Sequence, residues 1–368
     1  MLQHVHRLCY HIRPKTPFLR HQLTKIFSIQ QQRYYYSAAA ISQQQEKSRS
    51  NLNIIDFFDP DLITTTPHNY TLKCGVSGYA KAGKVVDIPL DEGIYTSVQV
   101  GDDAYFVRTD SLGVSDGVGG WRSHSGANPA LYSRKLMHYA QLELDRIKTN
   151  VRPHHIPQQV PNPVEILENA YHLTTLDAQN EGIVGSTTAC IVVLFQDELR
   201  VANLGDCGIS VIRRNNYIFR SEEQQHSFNF PYQLGTASFD SPMDAQQFTI
   251  KVEEGDILIL ASDGLFDNLY DDEIMEEVQN CIEQGNEQKK GSTEEQSTTI
   301  IPIQEISDAL AFRAKIVSED PDNPTSPFQV RAMHEGLYYQ GGKADDISVV
   351  VAVINRDEKP GPSPPPLP

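Results

Sequence analysis

The sequence predicts an α+β fold, a four-layer αββα sandwich in which two central, mainly antiparallel β-sheets are flanked by helix pairs. Three observations carry this expectation. Short apolar strands separated by turn residues recur from Asp103 onward, as antiparallel neighbours do. Helical spacing interrupts them in two pairs of segments. The runs Ile257–Ala261 and Ile347–Ile354 are continuously apolar, which suits strands buried on both faces between layers.

In chain order, residues 1–45 come first, with six Lys/Arg, no Asp or Glu, abundant Gln and Ser, and no secretory apolar core. They read as a mitochondrial transit segment, with a matrix-protease-like site in "RYYYSAAA" (Arg33–Ala40). A polar linker spans 46–66, and the folded domain is expected over 67–356. "DAYFVRTDSLGVSDG" reads as a hairpin turning at Thr109-Asp110. Asn128–Ile147 and Pro163–Ala178 carry helical spacing. "STTACIVVLF", "ELRVANLGD", "CGISVIRR" and "NYIFRS" follow as short strands, and "QFTIKVEEGDILILASDG" as a further pair turning at Glu253–Asp256. Helices are predicted over Asp272–Glu283 and from Ile303 to about Val317. A low-complexity polar insert, about 284–299, lies between them, and "DISVVVAVI" closes the domain. The tail, 357–368, is Pro-rich and expected to be disordered.

The chain carries a net charge of −17, and without its basic first 45 residues it is more acidic still. Such a body repels nucleic acid and anionic lipid, which argues against both as partners. No apolar run reaches membrane-spanning length, so no transmembrane segment is expected. Cys9, Cys74, Cys190, Cys207 and Cys281 are scattered without CxxC spacing, as in a reducing compartment.

The acids are less scattered than they look. With the hairpin turning at Thr109-Asp110, position i faces roughly position 219 − i. Asp102 and Asp103 then lie opposite Gly117 and Asp116, at one end of the ladder. Asp263-Gly264 ends the Ile257 run, and Asp345-Asp346 begins the Ile347 run. If those strands are antiparallel, their acids share the same rim. Asp206, in "NLGDCG", closes another apolar strand. An isolated Asp-Gly is ordinarily a turn, and an isolated Asp-Asp ordinarily a cap or a solvated pair. Their joint placement changes the reading.

Several carboxylates at one rim repel one another unless protons or cations neutralise them. Oxygen ligands without clustered His or Cys select hard divalent ions, Mg²⁺ or Mn²⁺. In "SDGVGGW" three of the four residues after Asp116 are glycine. They let a backbone carbonyl, that of Gly117, join the coordination. Two such ions about 3.5–4 Å apart are a recurring device for attacking phosphate esters with a shared, hydroxide-like water.

The ordered motifs "DGVGGW", "GSTTAC", "NLGDCG", "LASDGLFD" and "KADDISVV" resemble the metal-dependent protein phosphatases of the phosphatase 2C (PPM) family over roughly residues 70–356. The transit-like N-terminus and "DGVGGW" look most like the mitochondrial PTC-seven-type branch. The resemblance implies a phosphoserine/phosphothreonine protein phosphatase built on two central sheets flanked by helix pairs. Its substrates would be mitochondrial phosphoproteins, metabolic enzymes including those of ubiquinone synthesis. It also implies that Asp116 bridges two ions, with the Gly117 carbonyl on one and Asp263 and Asp345 on the other. Asp102 stands where the family commonly has a glutamate, a shorter arm that would act through a water. Asp206 and Asp267, with Asp263, match positions that hold a third, weaker ion. Asp346 replaces a common asparagine.

Two departures bear on activity. Val118 occupies the position of a histidine that protonates the leaving oxygen in many members. Val98 occupies that of a phosphate-binding arginine, for which Arg122 is the candidate substitute, since guanidinium binds phosphate bidentately. These departures keep open a rival reading, a catalytically weak phosphoprotein-binding relative. "GYAKAGKV" (Gly78–Val85) nearly spells a P-loop, but Val85 replaces the required hydroxyl and Pro89 opposes a following helix, so a flexible loop is expected. His124 and His226 read as surface histidines, and Trp121 as a packing anchor for the metal loop.

Overall fold

The computed structural model describes residues 70–82, 95–121, 123–149, 160–289, 301–322 and 325–356. The transit-like segment, the linker, Arg122, most of the polar insert and the Pro-rich tail lie outside the described residues. Two large sheets dominate. One runs in the order β1 (Tyr70–Tyr79), β15 (Ile347–Arg356), β14 (Ile257–Ala261), β8 (Gly208–Arg213), β9 (Asn216–Arg220). The other runs β13 (Gln246–Lys251), β7 (Glu198–Leu204), β6 (Ala189–Phe195), β4 (Ser111–Ser115), β3 (Asp103–Val107), β2 (Val98–Val100). Two small ladders join β10 (Gln225–Ser227) to β11 (Phe230–Pro231) and β12 (Leu234–Gly235) to β5 (Ser186–Thr187). Every strand pair described is antiparallel.

The period-2 alternation of strands explains why the central runs are apolar throughout. On β14, Leu258 and Leu260 face the other sheet, joining Val114, Val192 and Val201 in a core between the sheets. Ile257, Ile259 and Ala261 face outward, onto helices α4 (Asp271–Lys289) and α5 (Ile303–Glu319). On the opposite side, Ile191 and Ala202 meet Leu136, Met137 and Leu167 of α1 (Pro129–Thr149) and α2 (Pro163–Glu181). These three cores make the four expected layers. Two short helices, α3 (Asp263–Phe266) and α6 (Pro327–His334), complete the described set. The helix starts are legible chemistry: Asn162 accepts the Val164 N–H at 3.0 Å with Pro163 in the first turn, and Gly182 ends α2 at φ 70°.

The hairpin has the expected register, with Ala104 opposite Ser115 and Val107 opposite Leu112. The strands β14 and β15 are antiparallel, Ala261 facing Val349, so Asp263 and Asp345 emerge at one end. The pair expected across Glu253–Asp256 does not form a hairpin. Strand β13 pairs with β7 in one sheet, whereas β14 pairs with β8 and β15 in the other. The reason is burial: β13 alternates between half-buried and exposed, as an edge strand does, while every residue of β14 is buried. The intervening segment is a crossover, fastened by Arg213, which grips the buried Asp256 carboxylate with two bonds of 2.8 and 2.7 Å. Helix α4 also continues past Glu283 to Lys289, into the segment expected to be a loop.

Candidate metal centre

The Asp102–Asp103 turn, the Asp116 loop, the β7–β8 crossover at Asp206, the end of β14 and the start of β15 meet at one cavity of about 710 Å³. Asp102, Asp116, Gly117, Asp206, Asp263 and Asp345 all face it. Carboxylate oxygens of Asp116, Asp206 and Asp263 lie within 4.8 Å of one another. Asp206 Oδ1 and Asp263 Oδ1 are buried without a hydrogen-bond partner, as are both oxygens of Asp103. Buried carboxylates in such proximity are costly unless a cation joins them. Burial, reinforced by the charge of Asp263, pushes the Asp116 and Asp206 carboxyls well above their usual range. Burial likewise raises Asp263, partly offset by Lys343, and it raises Asp345, with Asp263 adding to the effect. Asp103 is raised by burial and then by Asp346. A hard, oxygen-only donor set with orphaned buried oxygens fits a divalent ion.

The loop that presents Asp116 is held from two sides. The Asp116 N–H donates to Thr188 Oγ1 at 3.0 Å, while its carbonyl accepts from Thr187 Oγ1 at 2.7 Å and the Thr188 N–H at 2.9 Å. Trp121 Nε1 donates to Ser186 Oγ at 2.6 Å, and that hydroxyl donates to Gln233 at 2.6 Å. Trp121 thus anchors the loop through its indole N–H. Gly117 donates to the Asp102 carbonyl at 3.1 Å. A Cβ there would sit 2.5 Å from that carbonyl and 2.8 Å from the Pro129 carbonyl, so close backbone approach requires glycine. Asp346, buried at 2 % exposure, accepts the Lys81 N–H at 2.7 Å and the Asp102 N–H at 2.9 Å. Both carboxylate oxygens are used; an asparagine has only one acceptor for the two amides.

Asp267, a candidate ligand of a third ion, is ion-paired in this structure. Its Oδ2 lies 2.5 Å from Lys343 Nζ, and its Oδ1 pairs with Arg331 of α6. Lys343 also touches Asp263 Oδ2 and lies 3.5 Å from Asp345 Oδ2. Burial lowers the proton affinity of Lys343, but Asp263, Asp267 and Asp345 outweigh it and hold the ammonium firmly charged. Sequence reading missed Lys343 and Arg331; the first lies in "KADD", two residues before a predicted ligand, the second on a helix not anticipated. Lys81, in the stretch set aside as a loop, also faces the cavity, as do Val118 and His124. Val98 does not: it stands on β2, 46 % exposed. His226 is committed elsewhere, bonded to Asp240 at 2.9 Å and stacked on Tyr232 at 3.9 Å.

Two antiparallel sheets carry an oxygen-only acidic rim at one end, a donor set suited to hard divalent ions, and comparison with known proteins adds the family. Residues 139–320 match the family model of stage II sporulation protein E. A probable protein phosphatase 2C 80 of Arabidopsis thaliana is 36% identical over 257 residues, covering 69% of this chain and 54% of that relative, so the chain spans about half its length. A protein phosphatase PTC7 homolog of Danio rerio is 38% identical over 268 residues, covering 69% and 81%. The X-ray structure of the photosystem II phosphatase PBCP superposes with a TM-score of 0.58 at 30% identity, covering 77% and 98%. The chain belongs to the PP2C-type protein phosphatase family. Its similarity to PTC7 homologs agrees with the branch that its motifs resemble.

Proposed function

We propose that this phosphatase hydrolyses phosphoserine and phosphothreonine monoesters on mitochondrial phosphoproteins, with two divalent ions, Mn²⁺ or Mg²⁺, held at the acidic rim. The observation that supports it most is the meeting of Asp116, Asp206 and Asp263 with orphaned buried oxygens at the cavity floor. Asp116 would be the shared ligand, with the Gly117 carbonyl and Asp102 on one side and Asp263 and Asp345 on the other. When bound, the ions would acidify water and offset phosphate charge.

The chain's own residues do the rest. Thr187, Thr188 and Trp121 fix the Asp116 loop, and Asp346 fixes Asp102, so the ligands are set before substrate arrives. Lys81 supplies a cation at the cavity wall, where it can meet a phosphate oxygen as Arg122 was expected to. Val118 offers no proton, and His124 is the imidazole facing the same cavity. Mitochondrial substrates, including enzymes of ubiquinone synthesis, rest on the acid-free N-terminus and the PTC7 likeness. N-terminal sequencing of the mature protein should find cleavage near Tyr35–Ala40; an intact Met1 in a cytosolic fraction would contradict this.

Hydrolysis of p-nitrophenyl phosphate by the full chain tests the reaction. Activity that appears with Mn²⁺ and disappears with EDTA is expected. A metal-loaded chain that binds phosphopeptide without turnover would favour the weak, phosphoprotein-binding reading that Val98 and Val118 keep open.

A further inference from the structure

We propose that Phe230 and Pro231, on the β10–β11 hairpin, select the substrate by receiving an apolar side chain that flanks the phosphorylated residue. This selection rests on the phosphoserine and phosphothreonine hydrolysis proposed above, and it names the class of peptide sequence which that reaction prefers.

The cavity is acidic where phosphate would be met, but part of its lining is not. The loop after Gly117 and the β10–β11 hairpin contribute Val118, Trp121, Asn229, Phe230, Pro231 and Gln233, none of them charged. A space of about 710 Å³ holds a ligand much larger than phosphate. Successive Cα atoms lie about 3.8 Å apart, so the residues beside a phosphoserine enter the cavity with it. Phe230 is 50% exposed. Exposed phenylalanines are ordinary, and Phe239, at 97%, does not line this cavity. Phe230 does line it. An apolar side chain laid on its ring leaves water together with the ring, whereas a polar one loses hydration and gains no charged partner there.

The hairpin is fastened to the Asp116 loop, so this apolar surface stands at a set place beside the rim. Trp121 Nε1 donates to Ser186 Oγ at 2.6 Å, and that hydroxyl donates to Gln233 Oε1 at 2.6 Å. Gln233 Nε2 donates in turn to the Pro231 carbonyl at 3.1 Å, and the Gln233 N–H to Asp240 Oδ2 at 2.9 Å. Both Ser186 and Gln233 are buried. Asp240 also holds His226 at 2.9 Å; that ring stacks on Tyr232 at 3.9 Å and lies 5.5 Å from Phe230. At the turn, Asn229 takes a φ of 56° and donates its N–H to Gln225 Oε1 at 3.0 Å. A surface already in place loses little freedom when a peptide arrives, so contact with Phe230 translates into affinity.

Phosphate release by the Mn²⁺-loaded full chain from two matched phosphoserine peptides tests this. One carries Leu and the other Asn on both sides of the phosphoserine; the two side chains are alike in size and uncharged, so the acidic surroundings do not bias the comparison. The wild-type protein should favour the Leu peptide about tenfold in kcat/KM, with the difference in KM. Phe230→Ser should bring the ratio close to one by raising KM for the Leu peptide with kcat retained, and Phe230→Leu should keep the preference. Hydrolysis of both peptides with equal efficiency by the wild-type protein would overturn the proposal and leave the phosphoserine reading intact. A preference that survives Phe230→Ser, or is lost in Phe230→Leu, would overturn it as well. Turnover of neither peptide would sink both readings. The wild-type ratio decides even if a variant does not fold.

Discussion

Val118 stands in the cavity wall between Gly117, whose lack of a side chain lets the hairpin ends touch, and the single 3-10 turn Gly119–Trp121, whose two glycines are exposed. A valine can neither give nor take a proton, so the leaving oxygen must be protonated by another group. An aryl phosphate leaves as a stable phenolate and needs little help, whereas a serine alkoxide needs much. General acids contribute about 10²–10⁴-fold. Val118→His should therefore raise turnover of a phosphoserine peptide more than that of p-nitrophenyl phosphate, each 1.36 kcal/mol of barrier appearing as about tenfold in rate. Equal effects on the two substrates, with metal affinity unchanged, would mean that a donor is already present, and His124 would be examined next.

Elements bring these residues together, and their legibility varied for physical reasons. The hairpin register could be computed because a short antiparallel pair is local: fixing the turn fixes every partner, down to Asp102 opposite Gly117. The β14–β15 rim was legible because continuous apolar runs mark central strands, whose ends then coincide. The β13–β14 crossover was not read, since proximity in sequence suggested a hairpin while burial pattern assigned the strands to different sheets. Strand β1, which pairs along the whole of β15, is set by long-range contacts that no local pattern announces. Helix α6, which delivers Arg331, has a local start signal that was not read: Ser326 accepts the Gln329 N–H at 3.1 Å ahead of Pro327 in the first turn. Lys343 carries no signal of its own in the sequence, since lysines are mostly exposed. At the element scale the Gly185–Thr188 segment, which contains β5, is the test. Thr188→Val keeps the shape but leaves the Asp116 N–H without its 3.0 Å acceptor, at a cost of about 1–3 kcal/mol. It should lower Tm by several degrees and weaken Mn²⁺ affinity. Unchanged affinity would mean that this segment does not position Asp116.

Across the whole molecule, the rim stores unfavourable charge that metal binding relieves. The Asp103, Asp116, Asp206, Asp263 and Asp345 carboxyls are all raised, by burial first and then by neighbouring carboxylates, with Lys343 partly offsetting the rise at Asp263. A raised carboxyl favours the folded state below its unfolded value, about 3.9, and that contribution is lost as pH rises through the folded value. Lys343 is raised from an already high value and stays charged throughout the neutral range. EDTA-treated protein should therefore have a lower Tm at neutral pH than at pH 5, and Mn²⁺ should raise Tm more at pH 8 than at pH 5. A Mn²⁺-induced shift that is equal at both pH values, or larger at pH 5, would contradict this. No described helix is long and apolar enough to cross a membrane. The most direct test of the account is phosphate release from a phosphoserine peptide by Asp116→Ala, saturated with Mn²⁺ and shown to be folded by circular dichroism. Loss of nearly all turnover, with weakened binding of both ions, is the predicted result; near-wild-type turnover would contradict a centre organised around Asp116.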